Sequence, residues 1–401
     1  MVDIYLLSVI IFFGILGILI YRDRNNIEFK YILITKKTKT GMKFINNLAK
    51  LSPTFWKIFS TIGIFAAILV MIFAIYGFIL NGYMVVQKKV QIPALQFIFP
   101  LPQPQPVTGP GYILIPFWFW IIVLPFILLP HELMHGVIAR VEKIRITSVG
   151  LFILAIFPGG FVEPDEKMMK KSGVMSRLRI ISVGSFANFI AVLALFLLAQ
   201  YILWPTFVSD GVVITSVNKT ESIGLAGIKE DMVLQEMGGK KIKTGFDDFE
   251  TIYGLLLFKS RNVTEENVKS FVSSLSVIRY LKDYKPGDSV IVKVDDKFYD
   301  IKLGSNPDDP EMAYMGINST IKVNGNGFSV LFPLIWWCYI LGLAVAILNI
   351  LPIYPLDGGL IVDSLAEKVT KKQKTRKRIV LTITFITISL LAFNFAGPLF
   401  I

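Results

Sequence analysis

The chain has 401 residues, 54% of them hydrophobic and 17% charged, where soluble globular domains are roughly 45–50% apolar and about 25% charged. That balance excludes an ordinary soluble enzyme and intrinsic disorder, and a single cysteine excludes a disulfide scaffold. Lysine plus arginine number 41 against 29 acids, a formal net charge of +12, and where these basic residues sit decides what they do.

Apolar runs long enough to cross a bilayer and almost free of charge occur about six times, at residues 4–20, 61–80, 112–140, 180–204, 328–351 and 379–401. The first is preceded by Asp3 and followed by the basic residues, the reverse of a signal peptide, and reads as a retained span. After it come Arg22, Arg24, Lys30, Lys36, Lys37, Lys39, Lys43 and Lys50; basic residues return at 140–145, 167–179 and 368–378. These segments alternate with mixed ones at 81–111 and 205–327. The positive-inside rule then predicts cytoplasmic basic loops, with both termini on the other side of a cell membrane. Basic stripes at span borders are topology signals, and nucleic acid is set aside as a partner.

The segment 205–327 has soluble-like composition and is long enough for one small domain. It predicts a strand at 211–217, a short helix at 222–229, and a strand at 232–237 that ends in Gly238-Gly239-Lys240. A further strand at 289–294 turns through Asp295-Asp296 into 298–303. The stretches around Ala226-Gly227-Ile228-Lys229 and Lys285-Pro286-Gly287-Asp288 resemble a PDZ domain of the protease-associated type. The resemblance implies binding of extended peptide ends at a sheet edge; a plain spacer is the other reading. Three N-x-S/T triplets, at Asn218, Asn262 and Asn318, fall in this segment and agree with an extracytoplasmic location.

The only two histidines read His131-Glu132-Leu133-Met134-His135. On a helix, residues four apart share a face, so both imidazoles can bind one metal while Glu132 stands beside a bound water as general base. Ionisable groups at the end of an apolar span are costly and mark a site. A catalytic zinc takes a third protein ligand. No histidine remains, and Cys338 lies in an apolar run where it reads as a small buried hydrophobe, so a carboxylate is expected. The best placed is Asp357, in Asn349-Ile350-Leu351-Pro352-Ile353-Tyr354-Pro355-Leu356-Asp357-Gly358-Gly359, where two prolines break the fifth span and two glycines permit a tight turn.

The pairing of H-E-x-x-H with N-x-x-P-x-x-x-L-D-G-G resembles the site-2 protease family of intramembrane zinc metalloproteases. Gly184 to Asn188 is similar to its G-x-x-x-N element, and Phe157-Pro158-Gly159-Gly160-Phe161-Val162-Glu163-Pro164 to its membrane-dipping β segment. The resemblance covers about residues 112–360. It implies a polytopic α-helical membrane protein of about six spans with one inserted β-rich PDZ-like domain. The expected layout is a two-span region at 1–110, core segments at 111–204 and 328–401, and the insert at 205–327.

Read this way, Zn2+ is held by His131, His135 and Asp357, and Glu132 moves the proton. Asn188 and Asn349 either donate hydrogen bonds at the site or simply join helices. The implied substrates are single-span transmembrane proteins, unwound onto an edge strand that includes Phe157, Gly159, Gly160 and Phe161. A transporter or a membrane-anchored PDZ scaffold without proteolysis are the rival readings.

Overall fold

The computed structural model describes residues 4–31, 33–38, 40–90, 93–154, 157–243, 265–307, 309–324 and 327–400. Asp3, Lys39, Asn262 and Ile401, named above, lie outside the described residues. The chain divides into two compact units, Met1–Leu193 with Trp337–Ile401, and Ala194–Trp336. Among the described residues, six helices are long and apolar enough to cross a membrane.

In the first unit, α1 (Ile4–Arg22) is apolar throughout and ends on a basic residue. The basic segment after it is not a loop. It folds into β1 (Ile27–Lys30), β2 (Leu33–Thr38) and α2 (Thr40–Leu51). Helix α3 (Pro53–Val86) starts with proline in its first turn, where the missing N–H costs nothing. Its 34 residues, at about 1.5 Å each, exceed the roughly 30 Å hydrocarbon thickness.

Next come β3 (Phe97–Leu101), β4 (Val107–Gly109) and β5 (Tyr112–Pro116), a three-stranded sheet in which β3 and β5 run parallel. The expected span at 112–140 is therefore shortened at its start. Gly111, at φ +81°, turns the chain into β5, and Pro116 sets the entry to α4 (Phe117–Val141).

Strands β6 (Ile146–Leu154) and β7 (Phe157–Pro164) follow, then α5 (Glu166–Lys171) and α6 (Val174–Leu198). The second sheet has the order β1-β2-β6-β7, so the segment before residue 112 supplies half of it and β7 forms its edge. Two aromatic rings brace the β6–β7 hairpin from one face. A Cβ on Gly159 would collide with the Phe152 ring, and one on Gly150 with the Phe161 ring, each at under 3.0 Å. Ile45 and Ala49 of α2, Val137 and Ile138 of α4 and Val183 of α6 form the core beneath this sheet.

In the second unit the chain leaves α6 through a π-helical turn (Ala199–Leu203) into α7 (Trp204–Phe207) and β8 (Val208–Val217). The helix expected at 222–229 is only α8 (Ser222–Leu225), because Gly227 at φ +80° has already turned the chain. β9 (Val233–Met237), β10 (Lys240–Lys241), α9 (Glu265–Leu281), β11 (Ser289–Val294) and β12 (Lys297–Lys302) follow. Asp295 and Asp296 both have positive φ, the two-residue turn that matches the twist of a hairpin. After β13 (Gly304–Ser305) and β14 (Ala313–Tyr314), β15 (Ile317–Val323) completes the order β12-β11-β9-β8-β15. Its core contains Val212, Ile214, Leu234, Val292 and Ile301.

Helix α10 (Gly327–Ile350) then leads to α11 (Asp357–Val369) and α12 (Gln373–Phe400). The last helix starts earlier than the apolar run and takes in Lys374, Arg376, Lys377 and Arg378. Buried Asn394 joins α12 to α3, donating to the Phe78 carbonyl at 3.0 Å and accepting from Asn81 at 2.7 Å. Ile64, Leu178, Ile181, Ile350 and Ile361 fill the space where α3, α6, α10 and α11 meet.

Candidate metal centre

His131 and His135 lie one turn apart on α4. Their Nε2 atoms are 3.2 Å apart, and Asp357 Oδ2 lies 3.4 Å from the first and 3.5 Å from the second. Ligands about 2.0–2.2 Å from a tetrahedral zinc stand about 3.3–3.6 Å from one another, so the triangle matches one face of such a tetrahedron. The hydrogen bonding suits a ligand role. His135 Nδ1 donates to the Ile180 carbonyl at 2.6 Å, which in the neutral imidazole leaves the Nε2 lone pair for a metal. Asp357 Oδ2 is buried without a hydrogen-bond donor. Lone pairs converging at this range repel one another unless a cation sits between them. Of the described residues, these three alone bring His, Cys, Asp or Glu ligand atoms together in this way.

Asp357 reaches the histidines because α10 stops at Ile350 and α11 restarts at Asp357, its first residue. Proline at 352 and 355 prevents the helix from continuing. The two glycines do not form the tight turn expected from sequence. They lie within the first turn of α11, where a Cβ on Gly358 would collide with the carbonyls of Ile350 and Leu351, and one on Gly359 with the Tyr354 backbone. They are glycines because two backbones meet there.

Helix α6 comes equally close from another side. A Cβ on Gly184 would lie under 3.0 Å from atoms of both imidazoles. One turn further on, buried Asn188 puts its side-chain amide 3.5 Å from His131 Nδ1. This gives the G-x-x-x-N spacing a physical meaning: glycine admits the rings and asparagine meets one of them. Gly184 is legible in the sequence only as the first residue of the G-x-x-x-N element, and the Ile180 carbonyl not at all, since an apolar helix offers no signal for a backbone acceptor. Asn349 is half-buried on the last turn of α10, and among the described residues it makes no hydrogen bond to the cluster.

Glu132 faces the sheet. Its Oε2 accepts the Val162 N–H of β7 at 3.1 Å. N–H groups alternate in direction along a strand, so Gly160 presents its backbone on the same side as Val162, and a Cβ on Gly160 would lie 3.9 Å from the Glu132 Cγ. Gly159 and Phe161 point to the other face, into the aromatic brace, and Phe157 pairs with Leu154 where the hairpin turns. Of the four residues named for substrate presentation, Gly160 is the one beside the acid.

Ion pairs join the helix ends near the centre. Arg179 bonds Glu142 at 3.0 Å, Arg177 bonds Glu367 at 2.7 Å, and Arg376 reaches both Glu367 at 2.6 Å and Asp363 at 2.7 Å. The Arg177 hydrogen bond, with the two guanidinium charges, holds the Glu367 carboxyl below its ordinary value. α11, which carries Asp357, is thereby tied to α6 and α12.

Comparison with known proteins gives the family. The model of Peptidase family M50 matches residues 119–392, and the chain belongs to that family, the site-2 protease family of membrane-embedded zinc metalloproteases. The match extends beyond residue 360 and reaches into the last span, ending at residue 392. An uncharacterized protein of Methanocaldococcus jannaschii is 28% identical over 369 residues, 90% of this chain and 86% of that protein. A membrane-bound transcription factor site-2 protease homolog of Arabidopsis thaliana is 39% identical over 72 residues, 17% of this chain and 14% of that protein. Among solved structures, the PDZ domain of an SdrC-like protein from Listeria monocytogenes aligns with 28% of this chain and 88% of its own, at 20% identity and a TM-score of 0.18.

Proposed function

We propose that the protein hydrolyses peptide bonds within transmembrane segments of single-span membrane proteins, as in regulated intramembrane proteolysis. The observation that carries this reading is the closed triangle of His131, His135 and Asp357 with Glu132 beside it, tied to a strand edge. His131, His135 and Asp357 would hold the zinc, which when bound would supply Lewis acidity toward the scissile carbonyl and acidify water. Glu132 takes the proton from the attacking water and passes it to the leaving amine. Asn188 orients His131, and Asn349 stands at the end of α10 as a donor toward the reacting carbonyl.

A transmembrane helix hides its peptide bonds in its own hydrogen-bond ladder. The edge of β7 at Gly160 offers an unwound segment replacement partners beside Glu132. The unit built on β8–β15 takes extended peptide ends in PDZ fashion. That is supported by an edge strand, β15, with a helix alongside it, where Ser273 and Ser319 are hydrogen-bonded at 2.6 Å. The Arg179–Glu142 pair joins the ends of α4 and α6, and Arg177, Glu367 and Arg376 join those of α6, α11 and α12. This supports a common side for these basic ends, which the positive-inside rule makes cytoplasmic, with both termini and residues 205–327 assigned by the same rule to the other side of the membrane.

The test is metal content and cleavage on the full chain in detergent. About one zinc per chain is expected in the wild type, with loss in His135→Ala and Asp357→Ala. Cleavage of a membrane-anchored reporter is expected within its span, and not by Glu132→Gln. A folded wild type that takes up no zinc overturns the reading.

A further inference from the structure

The backbone between α10 and α11 must be satisfied without help from water if Asp357 is to stay fixed. Pro352 and Pro355 have no N–H to satisfy. Ile353 N–H bonds the Leu351 carbonyl at 2.6 Å and Leu356 N–H the Ile353 carbonyl at 2.8 Å, so both close inside the loop. Tyr354 N–H is the remaining donor, and its acceptor comes from a different helix: Thr384 Oγ1 of α12, at 3.0 Å. The same hydroxyl lies 3.5 Å from the Pro352 carbonyl, to which it donates. Thr384 is buried, and it bridges the two ends of the Pro352 to Tyr354 turn.

We propose that Thr384 is a positioning residue for the third metal ligand: by bracing this turn it fixes where α11 begins and hence where Asp357 points. The inference rests on the zinc reading above. The hydroxyl itself does not touch the cluster and acts only through the loop. A valine at 384 has nearly the same shape but leaves the Tyr354 N–H without an acceptor, whereas serine keeps the hydroxyl. Thr387 supplies an internal control. It lies on the same helix, is likewise buried, and bonds only the Ile383 carbonyl of its own helix.

The experiment measures zinc affinity of the full chain in detergent by competition with a chromogenic chelator, and amide hydrogen exchange over residues 351–358 in the metal-free protein. Thr384→Val is expected to weaken zinc by about tenfold or more and to speed exchange at the Tyr354 amide. Thr384→Ser and Thr387→Val should stay within about twofold of wild type in both readouts. A Thr384→Val protein that binds zinc like the wild type overturns the proposal. So does an equal loss in Thr387→Val or Thr384→Ser, which would mark a general packing effect. A wild type that binds no zinc removes the metal reading and this role with it. The exchange measurement then still reports, separately, whether Thr384 holds the turn.

Discussion

Glu132 Oε2 and the Val162 backbone N–H form a 3.1 Å hydrogen bond, so the acid of the H-E-x-x-H motif is fastened to the edge of a β-sheet. The bond sets the direction of the carboxylate and spends one of its oxygens on the strand, leaving the other for a proton. It also fixes the distance between the acid and any chain paired along β7.

Replacing Glu132 separates these two jobs. In Glu132→Gln the side-chain oxygen still accepts from Val162, but no base remains, so cleavage should fall by about 10²–10⁴-fold with zinc content unchanged. Glu132→Asp is one methylene shorter and cannot keep the Val162 bond while reaching the same point, so it should lose cleavage although a carboxylate is present. Rates on a membrane-anchored reporter, beside metal analysis of the same preparations, check both.

Gly184 is expected to be intolerant of even one methyl group. A Cβ there would lie under 3.0 Å from both imidazoles, and the rings have nowhere to go without breaking the Ile180 and Asp357 geometry. Gly184→Ala should lower zinc affinity by about 10–100-fold, the scale for disturbing groups that orient metal ligands. Ser185→Ala, one residue on, removes a buried hydroxyl that has no hydrogen-bond partner and should leave affinity unchanged. Chelator competition on the two variants checks the contrast.

The adjacent glycines of β7 should behave oppositely. Gly159→Ala pushes a methyl into the Phe152 ring and should cost about 1–3 kcal/mol of stability, read by thermal unfolding in detergent. Gly160→Ala meets nothing closer than 3.8 Å and should fold as the wild type does. Gly160→Pro removes one outward N–H from the edge. It should slow cleavage by about 2–10-fold with zinc content intact, the scale of one net hydrogen bond. Equal cleavage by the alanine and proline variants would show that substrate does not pair there.

Much of this was legible in the sequence, and the parts that were not share a cause. Long apolar runs announce the spans because nothing else explains them, and two histidines at ligand spacing with a lone Asp-Gly-Gly after a broken span announce the cluster. The strand at Tyr112–Pro116 was hidden because an apolar run reads alike as helix or buried strand until its partner, Phe97–Leu101, is known. The β2–β6 pairing joins residues more than a hundred positions apart, and its lysines carry a topology signal that masks the strand. Thr384 sits in a run of threonines and isoleucines where no local feature separates it from Thr387. The glycines at 358 and 359 were read for turns, and only the approach of a second backbone shows what they are for.

The pH dependence of the α11 anchor follows from Glu367. Its carboxyl is held below the ordinary value of 4.5, first by the hydrogen bond from Arg177 and then by the charges of Arg177 and Arg376. Because the folded state holds the proton less tightly than the unfolded chain does, the stabilisation is fully present above the unfolded value. It is lost as pH falls through the lower, folded one. Glu367 is partly exposed, so the contribution is modest, about 0.5–1 kcal/mol. Glu367→Gln should therefore unfold at lower temperature than the wild type at pH 7, with the gap closing as pH falls below the ordinary carboxylate value and through the lower, folded one. It should also shrink in high salt, which screens the pair. A gap that persists unchanged at acidic pH would mean that Glu367 acts through packing and that α11 is held by Arg376 and Asp363 instead.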